Sequence, residues 1–164
     1  MKHAHAHHEH VARAQRPGDL NRLAFSATLH CLSGCAIGEV LGMVIGTAIG
    51  LSNGATIALA VALAFLFGYA LTMLPLLKHG LPFTSAVSLA LASDTASITI
   101  MEVVDNGIML VIPGAMDAPL SSPVFWGSLA LALVIAGAFA YPVNRWLIAR
   151  GQGHAVVHAY HSHH

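Results

Sequence analysis

Three carboxylates lie close together within residues 92–106, a stretch that also contains several Ser and Thr residues: Asp94, Glu102 and Asp105. At about 100° per residue, a helix through this stretch places all three acids on one face, together with Met101. Like charges this close cannot all be ionised in a medium of low dielectric constant, so protons or a cation must neutralise them. The pattern therefore predicts a site that handles a cation or a proton.

A second row of potential ligands recurs every four residues earlier in the chain. It contains Cys31, Cys35, Glu39 and Met43, and His30 precedes it by one position. Residues four apart share one face of a helix. Thiol and thioether groups favour Cu(I), whereas imidazole and carboxylate groups also suit Zn²⁺ and Cu²⁺. The row predicts a transition-metal site, with copper favoured and zinc as the alternative.

Each of these residues also has an ordinary structural interpretation. A buried cysteine usually acts as a small apolar side chain, and a methionine usually fills a gap in the core. The hydroxyls near Asp94 could form a hydrogen-bond network between helices. Glu39 fits such interpretations least, because a carboxyl group near the middle of a bilayer is costly and normally marks function.

The elements that must position these residues are membrane-spanning helices. Of the 164 residues, 56% are hydrophobic and 9% are charged, whereas an average soluble domain is about 25% charged. A spanning helix needs about 20 mostly apolar residues, and four segments meet that requirement: 23–51, 55–77, 83–112 and 124–148. The predicted fold is an all-α polytopic membrane protein with four transmembrane helices. The apolar composition of the second and fourth spans predicts that these two helices mostly face lipid.

Two histidine-rich tails, residues 1–22 and 149–164, flank this predicted transmembrane domain of residues 23–148. Each tail contains five of the 12 histidines. We expect the tails to be cytoplasmic and to capture or deliver metal ions; the alternative is a solvated segment without such a role. The formal net charge of zero gives no support to nucleic-acid binding.

Basic residues predict the orientation of the four spans. Cytoplasmic loops of membrane proteins carry an excess of Lys and Arg. With both termini in the cytoplasm, all seven basic residues fall on the cytoplasmic side: Lys2, Arg13, Arg16, Arg22, Lys78, Arg145 and Arg150. The two remaining loops contain neither Lys nor Arg.

Glycines recur every four residues along the first span, at Gly34, Gly38, Gly42, Gly46 and Gly50. In a membrane, small residues at this spacing let two helices approach closely. The row predicts Gly-rich close packing. Because a single layer of four short helices is all that would separate a pathway from the lipid, we also expect a homo-oligomer within the lipid bilayer.

Two motifs together resemble a bacterial family of small four-helix membrane domains of unknown function. They are His-Cys-x3-Cys-x3-Glu-x3-Met at 30–43 and Ala-Ser-Asp-Thr-x-Ser-Ile-x-x-Met-Glu-x-x-Asp-Asn at 92–106, and the resemblance covers most of 24–148. Some members of that family are labelled with copper-oxidase terms. The resemblance implies a protein of the bacterial inner membrane and a connection with copper.

Three hypotheses for function follow from these observations. The first is a protein that binds and translocates a transition-metal cation. The second is a channel for protons or monovalent cations that uses the intramembrane carboxylates. The third is a redox enzyme with a metal centre at Glu39, Asp94, Glu102 and Asp105; the Glu-x-x-His pair of carboxylate-bridged four-helix proteins is missing from the spans, which weakens it. The sequence favours a protein that is not an enzyme.

The predicted orientation can be tested by labelling introduced cysteines. We expect Gly54→Cys and Asp117→Cys variants to react with a membrane-impermeant maleimide added outside intact cells, because both positions lie in loops without basic residues. Labelling that appears only after permeabilisation would contradict this orientation.

Overall fold

The computed structural model describes residues 17–150, which form four α-helices and no strand. They are α1 (Pro17–Ala48), α2 (Asn53–Lys78), α3 (Phe83–Val111) and α4 (Pro123–Ala149). Each helix is long and apolar enough to cross a membrane. The prediction of an all-α polytopic membrane protein is confirmed. Most of each histidine-rich tail lies outside the described residues.

Two short turns, at 49–52 and 79–82, and a longer loop at 112–122 separate the helices. Gly50 adopts a φ of 70° after the end of α1, a left-handed conformation that glycine adopts without a steric penalty. Ser52 then caps α2, because its hydroxyl accepts a hydrogen bond from the Ala55 backbone N–H at 3.4 Å. Ser122 caps α4 in the same way through the Val124 N–H, at 3.2 Å. These signals turn the chain back so that successive helices are antiparallel.

The glycine row of α1 packs against small residues of α2. Gly34 meets Gly68, Gly38 meets Ala64 and Gly42 meets Ala60. A Cβ atom added at Gly34 would lie only 2.6 Å from the Gly68 Cα atom, so the two backbones are in direct contact. The predicted close packing is confirmed, and its partner is a helix of the same chain. The row therefore gives no separate support to the expected homo-oligomer.

The four helices form a bundle in which α1 and α3 meet across the centre. Each of these two helices packs against both α2 and α4. Asn144 of α4 ties them together, because its side-chain amide donates hydrogen bonds to Thr28 of α1 and Ser97 of α3, both at 3.0 Å. The polar faces of α1 and α3 consequently lie in the interior of the bundle.

The glycine contacts predict a large cost for a bulky side chain in the row. We expect Gly42→Leu to lower the free energy of unfolding by about 2–3 kcal/mol, because the new side chain collides with the backbone of Ala60. Ala62→Leu, at an exposed position of the neighbouring helix, is the matched control and should have little effect. Thermal unfolding in detergent compares the two, and equal midpoints would contradict this packing.

Candidate functional site

Four carboxyl groups lie in the interior of the bundle, where α1 and α3 meet. None is more than 4% exposed, and they are Glu39, Asp94, Glu102 and Asp105. Cys31, Cys35 and Met101 are equally buried beside them. We call these seven residues the acid–thiol column. Their side chains meet in three successive levels along the bundle.

The first level joins Cys31 and Asp94. The Cys31 thiol lies 4.0 Å from Asp94 Oδ1, which also accepts a hydrogen bond from the Ser93 hydroxyl at 2.8 Å. A thiol is a weak donor, whereas the hydroxyl is a stronger one. This level therefore combines one soft sulfur and one carboxylate.

The second level joins Cys35 with two consecutive residues of α3. Its sulfur lies 3.9 Å from the Met101 sulfur and is also a side-chain neighbour of the Glu102 carboxyl group. Asn106 donates a hydrogen bond to Glu102 Oε2 at 3.4 Å, whereas Glu102 Oε1 is buried without a hydrogen-bond partner in the described residues. This level contains two sulfur atoms and one carboxylate.

The third level consists of two acids. The carboxyl groups of Glu39 and Asp105 are in side-chain hydrogen-bonding contact. Apart from this contact between the two acids, no N–H or O–H group of residues 17–150 donates a hydrogen bond to Glu39 Oε2 or Asp105 Oδ1, both of which are buried. Two carboxylates cannot bond to each other unless they share a proton, and a cation between them is the other way to satisfy both.

Two of the nine ligands predicted from the sequence lie beyond the column. His30 is half-buried at one end, where its Nε2 atom is 3.0 Å from the hydroxyl of Thr72. Met43 lies at the other end, half-buried against an apolar cluster that contains Met109. The predicted residues thus follow one another along the bundle axis. No three His, Cys, Asp or Glu side chains between residues 17 and 150 converge on one point where a metal ion could be held.

Thr72 of α2 is a site residue that the sequence interpretation missed. Its side chain is only 1% exposed, and its hydroxyl contacts both His30 and Asp94. The composition of this span predicted a mostly lipid-facing helix, but its buried residues recur every four positions: Thr56, Ala60, Ala64, Gly68, Thr72 and Leu76. That spacing indicates which face of α2 is buried, and a threonine on it is a candidate contact for a site in the bundle interior.

Cationic side chains are absent from the interior between residues 17 and 150. The four Lys and Arg residues in this range lie near helix ends and are exposed: Arg22, Lys78, Arg145 and Arg150. The column therefore has carboxyl groups without a cationic side chain beside them, and more hydrogen-bond acceptors than donors. It can accommodate a cation, protons, or both in turn.

The chain belongs to the family described as a domain of unknown function, DUF4396, which matches residues 21–153. The matched region includes all but the first four residues of α1, the three other helices and the whole acid–thiol column. Neither a curated protein nor a solved structure matches the chain.

Proposed function

We propose that the protein binds a transition-metal cation inside the membrane and translocates it along the acid–thiol column. The observation that carries this proposal is the set of buried carboxyl oxygens to which the described residues donate no hydrogen bond: Glu39 Oε2, Glu102 Oε1 and Asp105 Oδ1. A buried polar group without a partner costs free energy. A cation at the second or the third level would supply the missing positive charge to the oxygens of that level.

A purely structural network accounts poorly for these oxygens. The amides that lie in the bundle are already engaged, since Asn144 bonds Thr28 and Ser97, and Asn106 bonds Glu102. Acceptors thus exceed donors at the second and third levels. A network that only held helices together would gain stability from more donors and fewer acids.

The donors lie one level after another along the bundle, an arrangement that suits an ion which is bound at one level and can move to the next. Adjacent levels on α1 are four residues apart, which is a rise of about 6 Å along the helix. Each level offers only two or three donors, and a structural metal site normally closes around four. Conduction requires sites that bind an ion well enough to admit it and weakly enough to release it.

The sulfur atoms favour copper as the cation. Cys31, Cys35 and Met101 place soft donors at the first two levels, and soft donors select Cu(I). The carboxylates at all three levels would also accept Zn²⁺, which is the second choice. The proposal places the protein in the bacterial inner membrane with both termini in the cytoplasm, where the histidine-rich tails could exchange the ion.

A proton or monovalent-cation channel is the second candidate function. The contact between Glu39 and Asp105 favours it, because a shared proton satisfies this pair without a metal. Buried acids in membrane proteins frequently serve as proton relays. The two candidates differ in whether the column retains a metal.

Metal analysis distinguishes a protein that translocates a transition metal from a channel for protons or monovalent cations. In a full-length variant whose ten tail histidines are replaced by serine, we expect Cu(I) to be retained at one ion or more per chain. Glu39→Gln in that background should abolish retention, because it removes charge from the third level. Ser128→Ala, a buried change in α4 outside the column, is the control and should leave retention intact.

The second candidate would replace the first if the tail-substituted protein retained no metal but conducted protons in liposomes. Retention that survives Glu39→Gln would contradict the role assigned to this residue. Elemental analysis of anaerobically purified protein gives the ratio of metal to chain directly.

A further inference from the structure

A cavity of about 440 Å³ opens at the end of the bundle where the α1–α2 and α3–α4 loops lie. We call it the loop-end cavity. The side chains that carry its polar and sulfur atoms are Met43, Thr47, Asn53, Thr56, Met116 and Asp117. They come from three separate parts of the chain: the end of α1, the start of α2 and the α3–α4 loop.

The lining suits a cation better than an anion. Met43 and Met116 provide thioether sulfur, Asp117 provides a carboxylate, and neither Lys nor Arg lines the cavity. Thioethers bind soft ions such as Cu(I) and Ag(I), and a nearby carboxylate attracts any cation. Both methionines also pack against the apolar cluster beneath them, which fixes their position.

The cavity adjoins the third level of the acid–thiol column. Met43 follows Glu39 by four residues on α1, so it lies on the same side of the helix and about 6 Å further along its axis. An ion bound at Met43 would therefore be one helical turn from the acid pair.

The size of the cavity fits an ion that still carries water. A water molecule takes up about 30 Å³ in the liquid, so 440 Å³ has room for a cation with its first hydration shell. In such a space, donors from the protein can replace hydration water one at a time.

A hydrogen bond between the two loops orients the carboxylate. Asn53 Nδ2 donates to Asp117 Oδ1 at 3.1 Å, which ties the start of α2 to the α3–α4 loop. A carboxylate accepts more than one such bond. Asp117 can therefore keep this contact and bind an ion at the same time.

We infer that the loop-end cavity is a second cation site, at which a soft cation is loaded into or released from the acid–thiol column. Met43 and Met116 supply the sulfur ligands, and Asp117 supplies the charge. This inference rests on the proposed function, since it identifies where the same ion exchanges its water for protein ligands.

Protection of methionines from oxidation tests the site without requiring transport. The full-length protein in detergent, in a chloride-free buffer, is treated with tert-butyl hydroperoxide with and without Ag⁺, a soft ion that is not itself oxidised. A thioether bound to Ag⁺ has its reactive lone pair engaged, so we expect sulfoxide formation at Met43 and Met116 to slow by about fivefold or more. Met73, half-buried in a different apolar cluster, is the matched control and should be unaffected.

Two variants separate this inference from the proposed function. Asp117→Asn keeps a partner for Asn53 but removes the charge, so protection should require a higher Ag⁺ concentration. Glu39→Gln should leave protection intact while it abolishes metal retention in the column. In the protein that keeps Glu39, protection together with a column that retains no metal would contradict the proposed function and not the cavity site.

The cavity site is overturned by either of two results. One is equal oxidation of Met43 and Met116 with and without Ag⁺, whatever the column retains. The other is that neither methionine is oxidised in the absence of Ag⁺, because a loading site must be reachable from water. Peptide mass spectrometry of each methionine distinguishes these outcomes.

Discussion

The structure depends on one electrostatic constraint, the burial of four carboxyl groups in a bundle interior that contains no Lys or Arg among the described residues. Such groups cannot all be ionised without a compensating charge. Their arrangement in pairs with sulfur or with one another spreads the negative charge over three levels. A cation that moved from level to level, as we propose, would use both the acids and the thiols.

The rest of the fold holds these groups together. The glycine row lets α2 lie directly against α1, which brings Thr72 into contact with His30 and Asp94. From the opposite side, Asn144 of α4 bonds both α1 and α3. The two helices that their composition predicted to be mostly lipid-facing therefore each provide one polar side chain that positions the column.

Much of this architecture is predictable from the sequence because the membrane imposes it. The predicted spans 55–77, 83–112 and 124–148 differ by no more than two residues at any end from α2, α3 and α4. The first differs more, since α1 runs from Pro17 to Ala48 rather than over 23–51. Its first turns contain Asp19, Asn21 and Arg22, and hydropathy cannot detect a helix that continues outside the apolar region.

Spacing also placed the acids on one face of α3, but it could not show that Cys35 would meet Met101 or that Glu39 would meet Asp105. Those contacts depend on the relative height of two helices, which no local pattern encodes.

The most direct test of the central claim is uptake of Ag⁺ into proteoliposomes that contain the full-length protein, measured by elemental analysis of washed vesicles. The account predicts that the wild type takes up Ag⁺ faster than protein-free vesicles and that Cys35→Ser reduces the rate strongly, because this substitution removes a soft donor from the second level. A wild-type rate no higher than that of protein-free vesicles, or an undiminished rate in Cys35→Ser, would contradict translocation along the acid–thiol column.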